Sequence, residues 1–239
     1  MMALWIVATA LAFFIKGVCG FANTLVFTSI LAFGTTNINI SPVELLLGYP
    51  TNIILTWKNR SRLNPGIWIP LSLFVLVGSL LGALLLKNVS PGPVKVVFGA
   101  VVVLLGIEML LRDSGSSRAK GSKALLFVVG TVSGALCGLF GVGALLAAYV
   151  GRITESNDEF KANFCAVFIV ENTFRIILYT VLGIITLPAL KQAAVLIPVM
   201  IVGLTAGIRC SKVLNEKTVK LLVIILLIVS GVSMIVMNI

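Results

Sequence analysis

The chain has 239 residues, 59% of them hydrophobic and only 11% charged, less than half the roughly one quarter charged in a soluble domain. Together with a mean hydropathy of +1.15, this excludes a water-soluble enzyme, a nucleic-acid-binding domain and a disordered tail. A net charge of +10 would point to nucleic acid in a soluble protein, whereas in a membrane protein it reports loops on the cytoplasmic side.

A helix needs about 20 apolar residues to cross a bilayer. Apolar runs occupy 1–33, 43–57, 67–86, 94–111, 124–150, 162–185, 187–208 and 219–239. Polar breaks fall at 34–41, 58–65, 87–93, 112–123, 151–161 and 209–218. The break RDSGSSRAKGSK is rich in Ser, Gly and basic residues and reads as a flexible linker. The expected organisation is a first transmembrane repeat over 1–112, a basic cytoplasmic linker over 113–123 and a second repeat over 124–239. No basic segment precedes the first apolar run, so a cleaved signal peptide is not expected.

The two halves share spaced residues. Gly78-x-x-x-Gly82 matches Gly203-x-x-x-Gly207 at an offset of 125, as do Val94-Lys95 with Val219-Lys220 and Gly106 with Gly231. Gly17-x-x-Gly20 matches Gly138-x-x-Gly141 at 121, and Asn52 pairs with Asn172 at 120. Their common order indicates duplication, although small residues also let membrane helices pack closely.

Loop charge decides how the halves face. If all eight runs were simple crossings, the repeats would be parallel and the basic loop residues would divide evenly. The first run is too long for that: its residues would make a helix of about 48 Å. Lys16, Gly17 and Gly20 interrupt it, and Gly138, Gly141 and Gly143 interrupt the fifth run. If each folds as a hairpin that returns to its starting side, the repeats become inverted. One side then carries Lys58, Arg60, Arg62, Arg112, Arg118, Lys120, Lys123, Arg152, Lys161, Arg209, Lys212, Lys217 and Lys220, and the other only Lys87, Lys95 and Lys191. This is the asymmetry of the positive-inside rule. The expected fold is therefore an all-α polytopic membrane protein of eight apolar segments in two inverted repeats. Each repeat has a broken or re-entrant helical hairpin plus three transmembrane helices, and both termini lie outside.

Charge inside the membrane is costly and reads as functional by default. The candidates are Lys16, Glu44, Glu108, Glu171 and Arg175. Glu108 pairs by spacing with Arg112 at a helix end, and Glu44, near the start of its run, is compatible with an interfacial place. Glu171 and Arg175 are one helical turn apart and can pair. Lys16 either snorkels at the turn of a hairpin or faces a water-filled cavity.

The glycine-rich breaks, Lys16-Gly-Val-Cys-Gly-Phe-Ala-Asn-Thr24 and Gly138-Leu-Phe-Gly-Val-Gly-Ala144, carry more information. A broken membrane helix frees backbone groups, which is tolerated where they line a cavity or meet protein. The helix that restarts after a break offers free N–H groups to an anion. Two such ends from opposed repeats, meeting near the midplane, form a transporter site. Asn23, Thr51, Asn52 and Asn172 supply amides and a hydroxyl suited to oxyanion oxygens, and Lys16 or Arg175 the positive charge. Glu171 is the candidate coupling residue, since burial favours the protonated form of a carboxyl. The expected substrate-binding set is Lys16, Gly17, Gly20, Asn23, Thr51, Asn52, Gly138, Gly141, Gly143, Asn172 and Arg175.

Much chemistry is excluded. There is no histidine, hence no Ser-His-Asp triad, Cys-His pair or HExxH zinc site. Asp113 and Asp158 sit in polar loops. Cys19, Cys137, Cys165 and Cys210 lack zinc-ligand spacing and read as reduced small hydrophobes. No GxxxxGK[ST] occurs, so this chain does not use ATP. Neither a metal nor a cofactor is expected, and the chain is not read as an enzyme.

The paired Gly-x-x-Gly-x-Gly/Ala segments, the two four-run halves and the basic central linker resemble the TauE/SafE family of membrane transporters over nearly the whole chain. Gly138, Gly141, Gly143, Gly17 and Gly20 carry the resemblance most strongly. The family's glycine run is interrupted here by Ala22, Asn23 and Ala144. The resemblance implies a multi-pass permease of a bacterial-type plasma membrane that moves sulfite or an organosulfonate-type anion. Alternating access with proton or sodium coupling is the expected mechanism. The partners are then a small anion and the lipid bilayer, with no nucleic acid. The competing reading is an accessory or structural membrane subunit whose glycines serve packing alone.

Overall fold

The computed structural model describes residues 2–31, 37–85, 123–140 and 143–236, together with scattered positions between 96 and 110. Among the described residues every regular element is a helix and there is no strand. That is what an apolar solvent demands of a spanning chain, because a helix satisfies its backbone groups within itself. The expected linker lies outside the described residues apart from Lys123. The pair Glu108 and Arg112, and Gly141, lie outside them as well.

The first apolar run is divided. Helix α1 (Met2–Cys19) ends at a break, and α2 (Asn23–Leu31) resumes after it. Gly20 takes φ +89 and Ala22 φ +71, a left-handed conformation that costs a non-glycine residue about 1–2 kcal/mol. The reversal sends α2 back along α1, so that Trp5 meets Phe27 edge-on with ring centroids 5.7 Å apart.

Helix α3 (Asn37–Lys58) follows, then a 3₁₀ turn over Arg60–Arg62, then α4 (Pro65–Leu85). α3 begins inside the stretch expected to be a polar break, and contains Pro42 and Pro50. In the second half, α5 (Lys123–Phe140) ends just before the second glycine break, and α6 (Ala144–Ile153) restarts after it. Helices α7 (Asn157–Val181), α8 (Leu187–Cys210) and α9 (Glu216–Val236) complete the chain. Met2–Cys19, Asn157–Val181 and Leu187–Cys210 are long and apolar enough to cross a membrane.

Two caps fix the starts of α7 and α8. Ser156 Oγ accepts from the Glu159 amide at 3.2 Å, and the Glu159 carboxylate accepts from the Glu155 amide at 2.7 Å. This is a reciprocal capping arrangement. The Thr186 hydroxyl accepts from the Ala189 amide at 3.4 Å. The first cap starts α7 four residues ahead of Lys161. Lys161 therefore lies inside the helix and only 3% exposed, not in the loop expected there.

Packing couples the halves in matched pairs. α1 lies along α8 and α4 along α5, both in parallel and both on glycine. A Cβ on Gly17 would stand 2.5 Å from the Leu204 carbonyl oxygen, and one on Gly203 would stand 2.7 Å from that of Ala10. On the other side, Gly78 abuts the Thr131 carbonyl and Gly134 the Val75 carbonyl. Ser79 Oγ also donates to the Gly134 carbonyl at 3.0 Å. At the described positions of 96–110 the contacts also come in pairs. Gly106 packs on Ile228, and Gly231 packs on Val103.

The central pair, α3 and α7, is antiparallel. Ser41 meets the Tyr179 hydroxyl at 3.2 Å near one end. At the other, the Asn163 carboxamide accepts from the Asn64 amide at 2.9 Å and donates to the Arg62 carbonyl at 3.2 Å. The segment after α3, the start of α7 and the segment after α8 thus share one end of the bundle.

Candidate functional site

Helix α2, the middle of α3, the second break and the middle of α7 converge on a cavity of about 30 Å³, enough to hold a water. The first break contributes Phe21, Ala22, Asn23, Thr24 and Leu25, the last three being the first turn of α2. Backbone N–H groups there have no partner within their own helix. The second break contributes Gly143, which precedes α6. A Cβ at Gly143 would collide with the Phe168 ring, so any larger residue there must displace that ring. The remaining wall is Lys16, Glu44, Asn52, Phe164, Phe168, Asn172 and Arg175.

The lining combines bonded acceptors on Glu44 and Asn172 with spare donors. Glu44 Oε1 accepts from the Asn23 carboxamide at 2.5 Å and from Thr24 Oγ1 at 2.8 Å, so its negative charge is held against the start of α2. Lys16 Nζ donates to the Gly48 carbonyl at 3.4 Å, a long bond. Arg175 Nη2 donates to Asn172 Oδ1 at 3.0 Å, and its Nε lies 3.6 Å from Glu171 Oε1. Among the described residues around the cavity, Asn52 Nδ2 and Arg175 Nε and Nη1 have no hydrogen-bond partner, and neither do the two Glu171 carboxylate oxygens behind Arg175. Burying such groups unpaired is expensive. Two cations and an amide N–H group with bonding capacity to spare form an environment for a small oxyanion.

Aromatic rings close one side. Phe160, Phe164 and Phe168 lie along α7, with neighbouring centroids 5.2 and 4.7 Å apart. Phe21 packs edge-on against Phe160 and Phe164 at 5.8 Å.

Of the expected site residues, Lys16, Asn23, Asn52, Gly143, Asn172 and Arg175 come together here. Gly17, Gly20, Thr51 and Glu171 are not among the described lining residues. Gly17 serves the α1–α8 contact. Gly20 makes the turn over the Lys161 side chain. Thr51 turns its hydroxyl back to the Gly48 carbonyl at 2.6 Å. Gly138 falls in the last turn of α5, and Gly141 is outside the described residues. Glu171 stands behind Arg175, 1% exposed. Glu44, compatible by position with the interface, is buried at the cavity instead. Thr24 and the Phe21, Phe164 and Phe168 rings were not anticipated either. The signal for Thr24 was its place one residue beyond Asn23 in the first turn after the break.

The family model described as Sulfite exporter TauE/SafE matches residues 5–234. The chain belongs to the TauE/SafE family. No curated protein and no solved structure gives a match. TauE/SafE membership implies a membrane transporter of sulfite or other anionic compounds, and the apolar helices fit a membrane-embedded, multi-pass chain.

Proposed function

We propose that the chain is a permease that carries sulfite or an organosulfonate-type anion across a bacterial-type plasma membrane by alternating access. In this reading 1–112 and 124–239 are inverted repeats joined by the basic linker 113–123. The observation that carries it is the cavity between the two helix breaks, where Asn52, Arg175 and Lys16 have donor capacity to spare. Two restarting helices and opposed amides are an arrangement that holds an anion at the centre of a symmetric transporter.

The antiparallel packing of α3 and α7 supports inversion. These helices correspond through Asn52 and Asn172, and parallel repeats would orient them alike. The meeting of the segments after α3 and before α7 at one end supports it too. In the inverted arrangement both belong to the basic side, and eight simple crossings would separate them. Labelling single cysteines from either face tests this. A cysteine placed within 34–41 and one within 151–161 should react from opposite sides, and reaction from the same side would overturn the inverted arrangement.

Glu44 and Glu171 balance Lys16 and Arg175 when all four are ionised. A bound monoanion then adds an uncompensated negative charge, which a proton on Glu171 neutralises. This supports proton coupling through Glu171. Sulfite flux into liposomes tests the function. The wild-type chain should carry sulfite, and N52A/N172A should reduce flux at least tenfold, the effect of losing about 1.4 kcal/mol of binding. A folded wild-type chain that moves neither sulfite nor a sulfonate would leave the accessory-subunit reading in its place.

A further inference from the structure

A second, larger cavity of about 380 Å³ lies at the end of the bundle where α3 finishes, α7 starts and the segment after α8 begins. Among the described residues, Lys58, Lys161 and Lys212 line it against one carboxylate, Asp158. Asn59, Asn157 and the hydroxyls of Ser156 and Ser211 add polar groups. At the back, Lys161 is 3% exposed, and its Nζ donates to the Gly17 carbonyl at 3.1 Å and to Ser211 Oγ at 3.2 Å. Capping the end of α1 accounts for Lys161. It does not account for Lys58 and Lys212, which come from different segments and line the same cavity. Gathering like charges around a cavity is destabilising unless an anion enters it.

This cavity is close to the central one. The Lys161 stem passes beneath the first break, its Cγ 2.6 Å from where a Cβ on Gly20 would stand. Its neighbour Phe160 touches Phe21, which lines the central cavity. Phe21, Phe160 and the Lys161 stem form the partition between the two.

We infer that the cavity lined by Lys58, Lys161 and Lys212 is a second oxyanion site, from which a small sulfur oxyanion passes to or from the central cavity. The passage rests on the transporter reading, whereas the binding does not. A phospholipid phosphate shares the chemistry that this site recognises.

Sulfite binding to delipidated full-length protein, followed by calorimetry, tests the site. The proteins compared are wild type, K58Q/K212Q, N52A/N172A and the quadruple variant. Lys58 and Lys212 are exposed, so their replacement should leave the fold intact. N52A/N172A should keep one sulfite-binding event, and the quadruple variant should bind at least tenfold more weakly. Absence of that residual event, or its persistence at full strength in the quadruple variant, would overturn the second site. Flux separates the two ideas. Lysine-dependent binding without transport keeps the site and removes the permease reading, and transport with lysine-independent binding does the reverse. A phosphatidylglycerol arm distinguishes the sources. Lipid that co-purifies with the wild type, displaces sulfite and is lost from K58Q/K212Q assigns the site to a headgroup, and sulfite binding unaffected by lipid assigns it to the free anion.

Discussion

Replacing Gly207 by valine is expected to abolish the close packing of α1 on α8 and lower stability by about 3 kcal/mol, the upper range for overpacking a tight contact. Even a single Cβ at Gly207 would overlap the Phe14 carbonyl oxygen and stand 3.0 Å from Gly17 Cα. The obstacle is backbone, which cannot rotate aside as a side chain can, so the helices must separate. Separation also disturbs Gly17, Leu204 and Ile208 on the same seam, and with them the end of α1 that leads into the first break. Gly151→Ala is the control. Nothing lies within 4 Å of a Cβ there, and alanine favours a helix interior by up to about 1 kcal/mol. Melting in detergent, read by the surviving monodisperse fraction, should show a large loss for Gly207→Val and none for Gly151→Ala. Equal melting of the two would mean that the α1–α8 seam is not closed as described.

The same seam shows why some features were legible in the sequence. Overlong runs interrupted by Lys16–Gly20 and Gly138–Gly143 had to break, because a continuous helix of that length exceeds the bilayer. The structure breaks the first run at Gly20–Ala22 and restarts α6 directly after Gly143. The glycines themselves carried two meanings that spacing alone does not separate. Gly17 and Gly207 let two helices touch, whereas Gly143 admits the Phe168 ring beside the cavity. Only the partner in space distinguishes them.

Distance to the nearest polar break misplaces two charges. α3 starts at Asn37, so Glu44 lies two turns into a helix and reaches Asn23 on α2. The Ser156–Glu159 cap similarly moves Lys161 from loop to helix, and that capping pattern was present in the sequence. The aromatic wall was not legible. Phe21, Phe164 and Phe168 sit in runs already rich in apolar residues, where nothing marks a ring that faces a cavity from one that faces lipid. Asn52, Asn172 and Arg175 stood out for the opposite reason, since polar groups in apolar runs require partners.

Substituting Arg175 by glutamine should lower both stability and flux, and the two losses should separate in a double variant. Arg175 and Glu171 lie 3.6 Å apart, with side chains 4% and 1% exposed. Removing the guanidinium alone leaves a buried carboxylate without its counter-charge, a loss of about 3–5 kcal/mol. E171Q/R175Q removes both charges and keeps side chains able to hydrogen-bond each other, so its melting temperature should return towards wild type. Flux should not return. Both variants lack the unpartnered Arg175 donors that the proposed anion site uses, and such a charge-assisted bond contributes about 1.5–3 kcal/mol, so sulfite flux should stay about 10- to 100-fold below wild type. E171Q alone keeps the cation and removes the carboxyl proposed to carry the proton. It should retain sulfite exchange at equal pH on both sides but no longer respond to an imposed pH gradient. Recovery of flux together with stability in E171Q/R175Q would reduce Arg175 to a counter-ion for Glu171. The anion would then have to be held by Lys16, Asn52 and Asn172, because no other cation lines the central cavity among the described residues.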